Sequence, residues 1–539
     1  MRDNMATLLE AVADTAGDRV AIVQGDTRRT WRDLDDRAAR LAGHLAGRGV
    51  GAGDRVAIAL RNGPAYVESL LAAVKLRATP VNVNYRYRAG ELAQILGDAH
   101  ATALVMEAGL TGEAARAGAA SLRAVVRSGD PPAGADPLAD AATGYTEAVT
   151  HAPAPRVERS ADDEWLMFTG GTTGRPKGVR SSHATLCSIV APHGYGVRGV
   201  EPPAGADGLR ETTRRLLDDE ATSQTMLVAP PLMHATGQYS ALGVLLAAGV
   251  VVFTTRPSYD PRELAELAQR HRATDLCLVG DVFARPLAAA LEAAADAGRP
   301  YDLTALRRMH SVGVTWSPET KRRLLRHCDA RLEDVLAASE GGPFARSVTT
   351  RRDGRVTSAF ELAPGARVVG DDGRDVTAGS GEAGRLAAPV DPGVGYLDDP
   401  SSSAATFYAI DGRRYCVPGD LATVNADGTL NLLGRGSRVI NTGGEKVFAE
   451  EVEEVILGMP RVADALVVGL PDEHWGHRIA AVVAPEPRAA LTADEVRAAV
   501  AAELATYKKP RDVVFVPQIR RAPSGKADLS WAREVAAGG

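Results

Sequence analysis

The chain is 539 residues long, more than one hydrophobic core can hold, so two or more domains are expected. With 45% hydrophobic and 24% charged residues, a net charge of −6 and a pI near 6.1, nothing in it calls for nucleic acid or an anionic membrane surface. A polyanionic ligand must therefore be met by local positive charge.

The opening residues Met1-Arg2-Asp3-Asn4-Met5-Ala6 carry an acid early and no apolar core, so no secretory leader is expected. Thr30 reads as the cap of a helix with Trp31, Leu34, Ala38, Leu41 and Leu45 on one face, ended by Gly47 and Gly49. A buried strand at 55–60, a helix from about 64 to 75, a helix from about Glu91 and a strand at 103–106 follow. Strands alternating with helices argue for an α/β fold with helices on both faces of a parallel sheet. Residues 107–159, rich in Ala, Gly, Pro and Asp, read as irregular surface connections, and 201–220 as an insertion with one polar helix. Further strands are expected at 226–229, 250–253 and 276–279, and Ser317-Pro318-Glu319 starts a helix. The apolar run 241–253 is Gly-interrupted and too short to span a bilayer; it reads as a buried helix leading into a strand.

Past Leu432-Leu433-Gly434-Arg435-Gly436-Ser437-Arg438 the pattern changes. A helix at 449–457, strands at 462–469 and 478–485, a helix opened by Thr492 and Glu495 and a strand at 513–516 make a compact α+β unit. The boundary is placed near Gly434, giving a large domain, 1–433, and a small mobile one, 434–539. Cys187, Cys277, Cys328 and Cys416 are scattered without metal or redox spacing. A reduced, cytoplasmic protein is expected, with any metal arriving on its ligand.

The richest stretch is Phe168-Thr169-Gly170-Gly171-Thr172-Thr173-Gly174-Arg175-Pro176-Lys177-Gly178-Val179, between an apolar strand and a capped helix start at 181–186. Glycines let backbone N–H groups approach an anion, while threonine hydroxyls and one ammonium add donors, so the loop suits a nucleoside triphosphate. It is not a Walker loop: Lys177 precedes Gly178, and the other candidate, Gly525-Lys526, is followed by Ala527.

The order TGGTTGRPKG closely resembles the phosphate loop of the adenylate-forming superfamily, which holds acyl-CoA synthetases, aryl-CoA ligases, peptide-synthetase adenylation domains and luciferases. The run NGPAYVESLLAAVKLRATPVNVNYRYRAGEL extends the resemblance towards the N-terminus. GRGSRVINTGGEKVFAEEVEEV and RAPSGKADLSWARE look most like acyl-CoA synthetases for long-chain, sterol-type and other bulky acids, of actinobacterial type. The resemblance implies a large N-terminal domain of layered β/α sheets with a small C-terminal α+β domain. It also implies ATP, Mg²⁺ and coenzyme A as cofactors.

A carboxylate is a poor electrophile; joined to AMP it becomes a mixed anhydride that a thiol can attack, which requires bound ATP, charge neutralisation at the α-phosphate and an oriented acid. The resemblance assigns Thr169, Gly170, Gly171, Thr172, Thr173, Gly174 and Lys177 to the phosphates, and Glu340 to Mg²⁺ with Ser339 beside it at the nucleotide. Asp420 matches the ribose-binding carboxylate, and Arg435 the hinge-side arginine at the nucleotide; it equally suits an interdomain salt bridge. Lys526 matches the catalytic lysine, a long cation on a mobile domain that enters for one step and leaves for the next. His234, followed by Gly237, matches the histidine bordering the acyl pocket, although a lone His on an apolar segment is also common core chemistry. Met233, Val312, Gly313 and Val314 either line that pocket or simply pack, and Gly443, Gly444 and Lys446 lie on the loop matching the pantetheine tunnel.

Three positions depart from the family pattern. Leu336-Ala337-Ala338-Ser339-Glu340 lacks the aromatic ring and Gly of the adenine-side motif, and Ser437 stands where Asp or Lys is usual at the hinge. Ser311 replaces a Gly before the acyl pocket, where a larger side chain is expected to reshape acyl selection. The activity implied is an AMP-forming acid:CoA ligase acting on a hydrophobic acid, medium to long or bulky and polycyclic such as a steroid or diterpenoid acid. The alternatives are a ligase that loads a carrier-protein phosphopantetheine and a nucleotide- or acyl-binding regulator without catalysis. The partners are the acid and CoA, with no nucleic acid and no membrane span; the state of assembly, a homo-oligomer included, is left open.

Overall fold

The computed structural model describes residues 3–130, 137–169, 176–312, 316–352, 359–435, 438–442, 445–472, 476–504, 506–522 and 526–538. Two largely parallel sheets organise the first two-thirds of the chain. The larger has nine strands in the order Glu361–Leu362, Gly341–Thr349, Arg331–Ala338, Arg308–Val312, Asp275–Leu278, Thr225–Val228, Val250–Phe253, Val20–Gln24 and Thr27–Thr30. The smaller is parallel throughout, in the order Thr79–Asn82, Arg55–Ala59, Ala103–Glu107, Ala124–Ser128 and Thr143–Gly144. Pro80 sits in its edge strand, where a missing N–H costs no ladder bond.

Both sheets are covered on both faces, so their central strands are apolar on both sides. Met226 and Val228 enter the core shared with the helices Trp31–Gly47, Pro64–Lys75, His183–Gly194 and Ala235–Leu246, whereas Leu227 between them faces a second core of Leu264, Phe283, Leu287 and Leu324. Val56, Ile58 and Val105 reach the shared core from the smaller sheet, and Ala57 and Leu104 face Leu92, Ile95 and Leu96 on its far side. Thr30 caps its helix, as expected, and Asp33 completes a capping box with it. The Ala235–Leu246 helix does lead into the Val250–Phe253 strand.

One connection expected to be irregular is not, and the helix expected in 201–220 is present but not polar all round. Residues 107–159 supply the strand Ala124–Ser128 and the short helices Thr111–Arg116 and Tyr145–Ala148. Their small side chains pack closely instead of marking loops, with Ala114 and Ala119 buried under the smaller sheet. The helix Gly205–Asp218 is amphipathic: Leu209, Thr213 and Leu216 are buried, and it packs on the first helix, Met5–Ala16, with Arg210 reaching Asp14 at 3.6 Å.

An antiparallel sheet containing Ala383–Pro389, Asp420–Val424 and Leu430–Arg435 follows the parallel sheets. Beyond it, Glu445–Phe448, Val439–Thr442, Gly476–Pro485, Val462–Asp472 and Asp512–Phe515 form a separate sheet with its own two cores. The helix Ala449–Leu457 and the Thr492–Glu495 capping box fall where the sequence puts them.

Candidate active site

The expected strand before the phosphate loop is Glu164–Thr169, and it returns as a second strand, Lys177–Ser182, with Thr169 opposite Lys177. The turn therefore joins two antiparallel strands, not a strand and a helix. Ser182 then caps the helix His183–Gly194 by accepting from Thr185 N at 3.2 Å. Gly170, Gly171, Thr172, Thr173 and Gly174 lie outside the described residues. Lys177 Nζ donates to Ser402 Oγ at 2.5 Å, pairs with Asp399 at 3.3 Å and lies 4.9 Å from the Tyr396 ring centre. Asp399 caps the helix Pro400–Thr406 through Ser402 N, and its bonds from Ser402 hold its carboxyl well below the usual carboxylate range.

Tyr396 links this hairpin to Glu340. It pairs with Val179 on the outer edge of the hairpin, and its hydroxyl donates to Glu340 Oε1 at 2.9 Å. Glu340 and Ser339 occupy the turn between Arg331–Ala338 and Gly341–Thr349. The expected phosphate lysine and the expected metal acid thus meet the two sides of one phenol. Among the described residues no group of three or more His, Cys, Asp or Glu converges.

His234 closes the other side. Asn82 Nδ2 donates to Phe168 O at 2.8 Å and Met233 O at 2.7 Å, while its Oδ1 accepts from Phe168 N at 2.7 Å. One buried amide therefore bolts the strand before the phosphate loop to the residue before His234. Asn62 holds the same segment through Pro230 O and Leu232 N, and Gln238 through Leu232 O. Gly237 is required here, because a Cβ would lie 2.7 Å from the carbonyl oxygens of Pro230 and Pro231. The His234 Nε2 atom is buried without a partner among the described residues. Burial, and then the charges of Lys526 and Arg86, push its pKa down to about 4, so the ring is neutral at pH 7.

Val312 ends its strand with its carbonyl accepting from Thr236 Oγ1 at 3.4 Å, beside the His234 helix, whereas Gly313 and Val314 lie outside the described residues. Met233 is buried. The Ser311 Oγ accepts from Gly280 N at 2.6 Å, tying the side chain to the strand–helix connection.

A cleft of about 2840 Å³ opens between the parallel-sheet body and the C-terminal sheet, lined among others by Arg86, Leu336, Ala337, Asp420 and Lys526. A drug-sized ligand needs ~300–1,000 Å³, so there is room for more than one substrate. Asp420 opens its strand opposite Arg435 in register. Lys526 is held by the Arg521–Ala527 bridge and by Ala522 N donating to Lys526 O at 2.8 Å. Lys446 pairs with Asn441 on the hairpin whose tip, Gly443 and Gly444, lies outside the described residues together with Ser437. Leu336 lines the cleft on a strand that carries a register shift between Leu336 and Ala338, so the backbone turns there without a Gly at 337.

Sequence reasoning missed Asn62, Asn82 and Tyr396. Asn82 carried a usable signal, a lone amide between valines on a buried strand, which must find partners. Tyr396 carried none, since its partners Glu340 and Lys177 are far apart in the chain.

A large body of parallel sheets, a smaller C-terminal α+β unit and a cleft between them that Lys526 lines make up the fold of adenylate-forming enzymes. The anthranilate CoA ligase AuaEII, solved with anthranoyl-AMP, shares this fold at a TM-score of 0.83 and 22% identity, over 99% of this chain and 98% of that one. ATP-bound MatB from Rhodopseudomonas palustris follows at 0.76 and 25% identity, over 98% of each chain. The chain belongs to the AMP-binding enzyme family, which matches residues 9–388, with the AMP-binding enzyme C-terminal domain at 451–526. Among curated relatives, a 3-oxocholest-4-en-26-oate–CoA ligase of Rhodococcus rhodochrous is 36% identical over 98% of this chain and 95% of its own length. The medium-chain acyl-CoA ligase Mig of Mycobacterium avium is also 36% identical, over 98% of both chains.

Proposed function

We propose that this AMP-forming acid:CoA ligase is cytoplasmic and activates a hydrophobic carboxylic acid, a medium- to long-chain fatty acid or a bulky polycyclic acid of steroid type. It joins the acid to AMP with release of pyrophosphate and then passes the acyl group to the thiol of free CoA. The observation that carries the reading is Lys526, which comes from the C-terminal unit and lines one cleft with Asp420 and Arg86 of the larger body, near enough to His234 for its charge to lower that ring's pKa.

Each residue has a role in that reading. The 169–177 turn and Lys177 hold the triphosphate, and Asp420 takes the ribose hydroxyls. Glu340, steadied by Tyr396, would hold Mg²⁺, which when bound draws charge from the phosphates. Neutral His234 borders the acid's carboxylate and repels no cation, so Lys526 can sit beside it and meet the negative charge that grows on the transferring groups. The turn containing Gly443 and Gly444 admits the pantetheine arm once the domain from about 434 onward has swung. Lys526 is then no longer needed.

The test is acid-dependent exchange of labelled pyrophosphate into ATP over a panel of octanoate, dodecanoate, palmitate and a C26 steroid acid, followed by thioester formation with free CoA. Lys526→Ala should lower exchange by about 100-fold while leaving thioester formation from pre-made acyl-adenylate within about twofold, because the lysine acts at one orientation only. Equal loss in both steps contradicts the assignment.

A further inference from the structure

The helix Gly280–Asp296, on the body of the enzyme, carries an arginine that crosses to the C-terminal unit. Arg285 Nη2 donates to Leu457 O at 3.0 Å, and its Nη1 donates to Ala463 O at 3.1 Å and Val462 O at 3.3 Å. The remaining edge stays at home, with Nε donating to Asp281 Oδ2 at 2.9 Å. Asp281 is itself fixed, since its Oδ1 accepts from Ser317 N at 3.0 Å. The guanidinium is therefore held in place by its own body before it reaches across.

Its targets are well suited to a cation. Leu457 closes the helix Ala449–Leu457, so its carbonyl is one of the unpaired acceptors at the negative end of the helix dipole. Val462 and Ala463 open the next strand. All three acceptors are neutral carbonyls, and Leu457 and Ala463 line the cleft. When the contact breaks, water replaces it on the carbonyls and Asp281 keeps Arg285 paired, so no buried charge is stranded. That is what a contact made and broken in each turnover requires.

The arrangement that makes these bonds is also the one that brings Lys526 near His234. We propose that Arg285 is a positioning residue, a latch that holds the C-terminal unit where Lys526 serves acyl-adenylate formation and whose release permits the swing to thioester formation. The division into two half-reactions rests on the ligase reading above; the latch itself is a statement about domain orientation.

Two measurements test it. In the first, pyrophosphate exchange with dodecanoate as probe should fall about tenfold in Arg285→Ala, while thioester formation from pre-made dodecanoyl-adenylate stays equal to wild type or rises. Arg285→Lys, which keeps a cation at the helix end but loses the planar fork, should recover part of the exchange. A purely structural arginine would instead lower both half-reactions together, and that result overturns the latch.

The second is independent of which acid the enzyme takes. Dyes on cysteines introduced by Asp296→Cys and Glu534→Cys, both exposed positions, report the distance between the two bodies by energy transfer; the four native cysteines are buried. Arg285→Ala should lower or broaden the transfer efficiency of the resting enzyme, and an unchanged distribution overturns the proposal. Absence of wild-type exchange with every acid of the panel, alongside a shifted transfer distribution, would instead sink the ligase reading and leave the latch standing.

Discussion

Exchanging a single NH₂ for an oxygen at Asn82 should harm this enzyme more than removing the side chain. Asn82 is only 8% exposed and makes three bonds, two as donor to Phe168 O and Met233 O and one as acceptor from Phe168 N. In Asn82→Ala the Phe168 N–H loses its side-chain partner and two carbonyls lose a donor, at a cost of about 1–3 kcal/mol for the groups left unpaired. In Asn82→Asp the Phe168 N–H keeps its acceptor, but a second carboxylate oxygen is pressed against two carbonyls at 2.7–2.8 Å separations. The result is a buried charge facing like partial charges, worth about 3–5 kcal/mol. The strain falls between the strand before the phosphate turn and the residue before His234, and a shift of about 1 Å between reacting groups costs about 100-fold in rate. Chemical denaturation and pyrophosphate exchange, run side by side, should rank wild type above Asn82→Ala and Asn82→Ala above Asn82→Asp in both readouts. An aspartate variant with wild-type midpoint and exchange rate would refute the reasoning.

Tyr396→Phe removes the hydroxyl that donates to Glu340 and keeps the ring under Lys177. A bond to a charged group is worth about 1.5–3 kcal/mol, so the Mg²⁺ concentration needed for half-maximal exchange should rise about tenfold or more with little change in melting temperature; an unaltered Mg²⁺ dependence would separate Tyr396 from the cation. Gly434 has φ +84° and its Cβ would lie 2.0 Å from Glu450 Cδ, so Gly434→Ala should displace the C-terminal unit and depress exchange more than thioester formation. Equal effects on the two half-reactions would count against that. His183 is buried, accepts from Met5 N at 3.0 Å, and is pushed down to about 4 by burial. An unfolded imidazole, near 6.5, binds a proton that the folded one refuses, so this contribution is whole above pH 6.5 and is lost as the pH falls through about 4. At pH 5 the loss is about 2 kcal/mol. Melting temperature should therefore drop between pH 7.5 and 5, and His183→Gln should flatten that slope; identical slopes in variant and wild type would contradict it.

Local chemistry fixed much of this protein in advance. The Thr30 cap, the Thr492 capping box, the 449–457 helix and the buried strands follow from periodicity and caps that act within a few residues, and each is where its pattern puts it. The adenylate-forming class was legible for a related reason: its loops are short, contiguous and made of residues with restricted backbone or donor chemistry. Alanine-rich stretches misled, because a small side chain is as compatible with tight packing as with a loop, and only the neighbours of Ala114 and Ala119 decide between them. Ser311 shows the same limit, since which face of a strand connection a hydroxyl takes depends on a donor, Gly280 N, from another element. The joining of Lys177 to Glu340 through Tyr396, of the phosphate strand to His234 through Asn82, and of the two bodies through Arg285 lies wholly in the tertiary structure. These contacts bind residues from 56 to 219 positions apart (340 to 396, and 177 to 396), and short-range pattern carries no information about partners that only packing brings together.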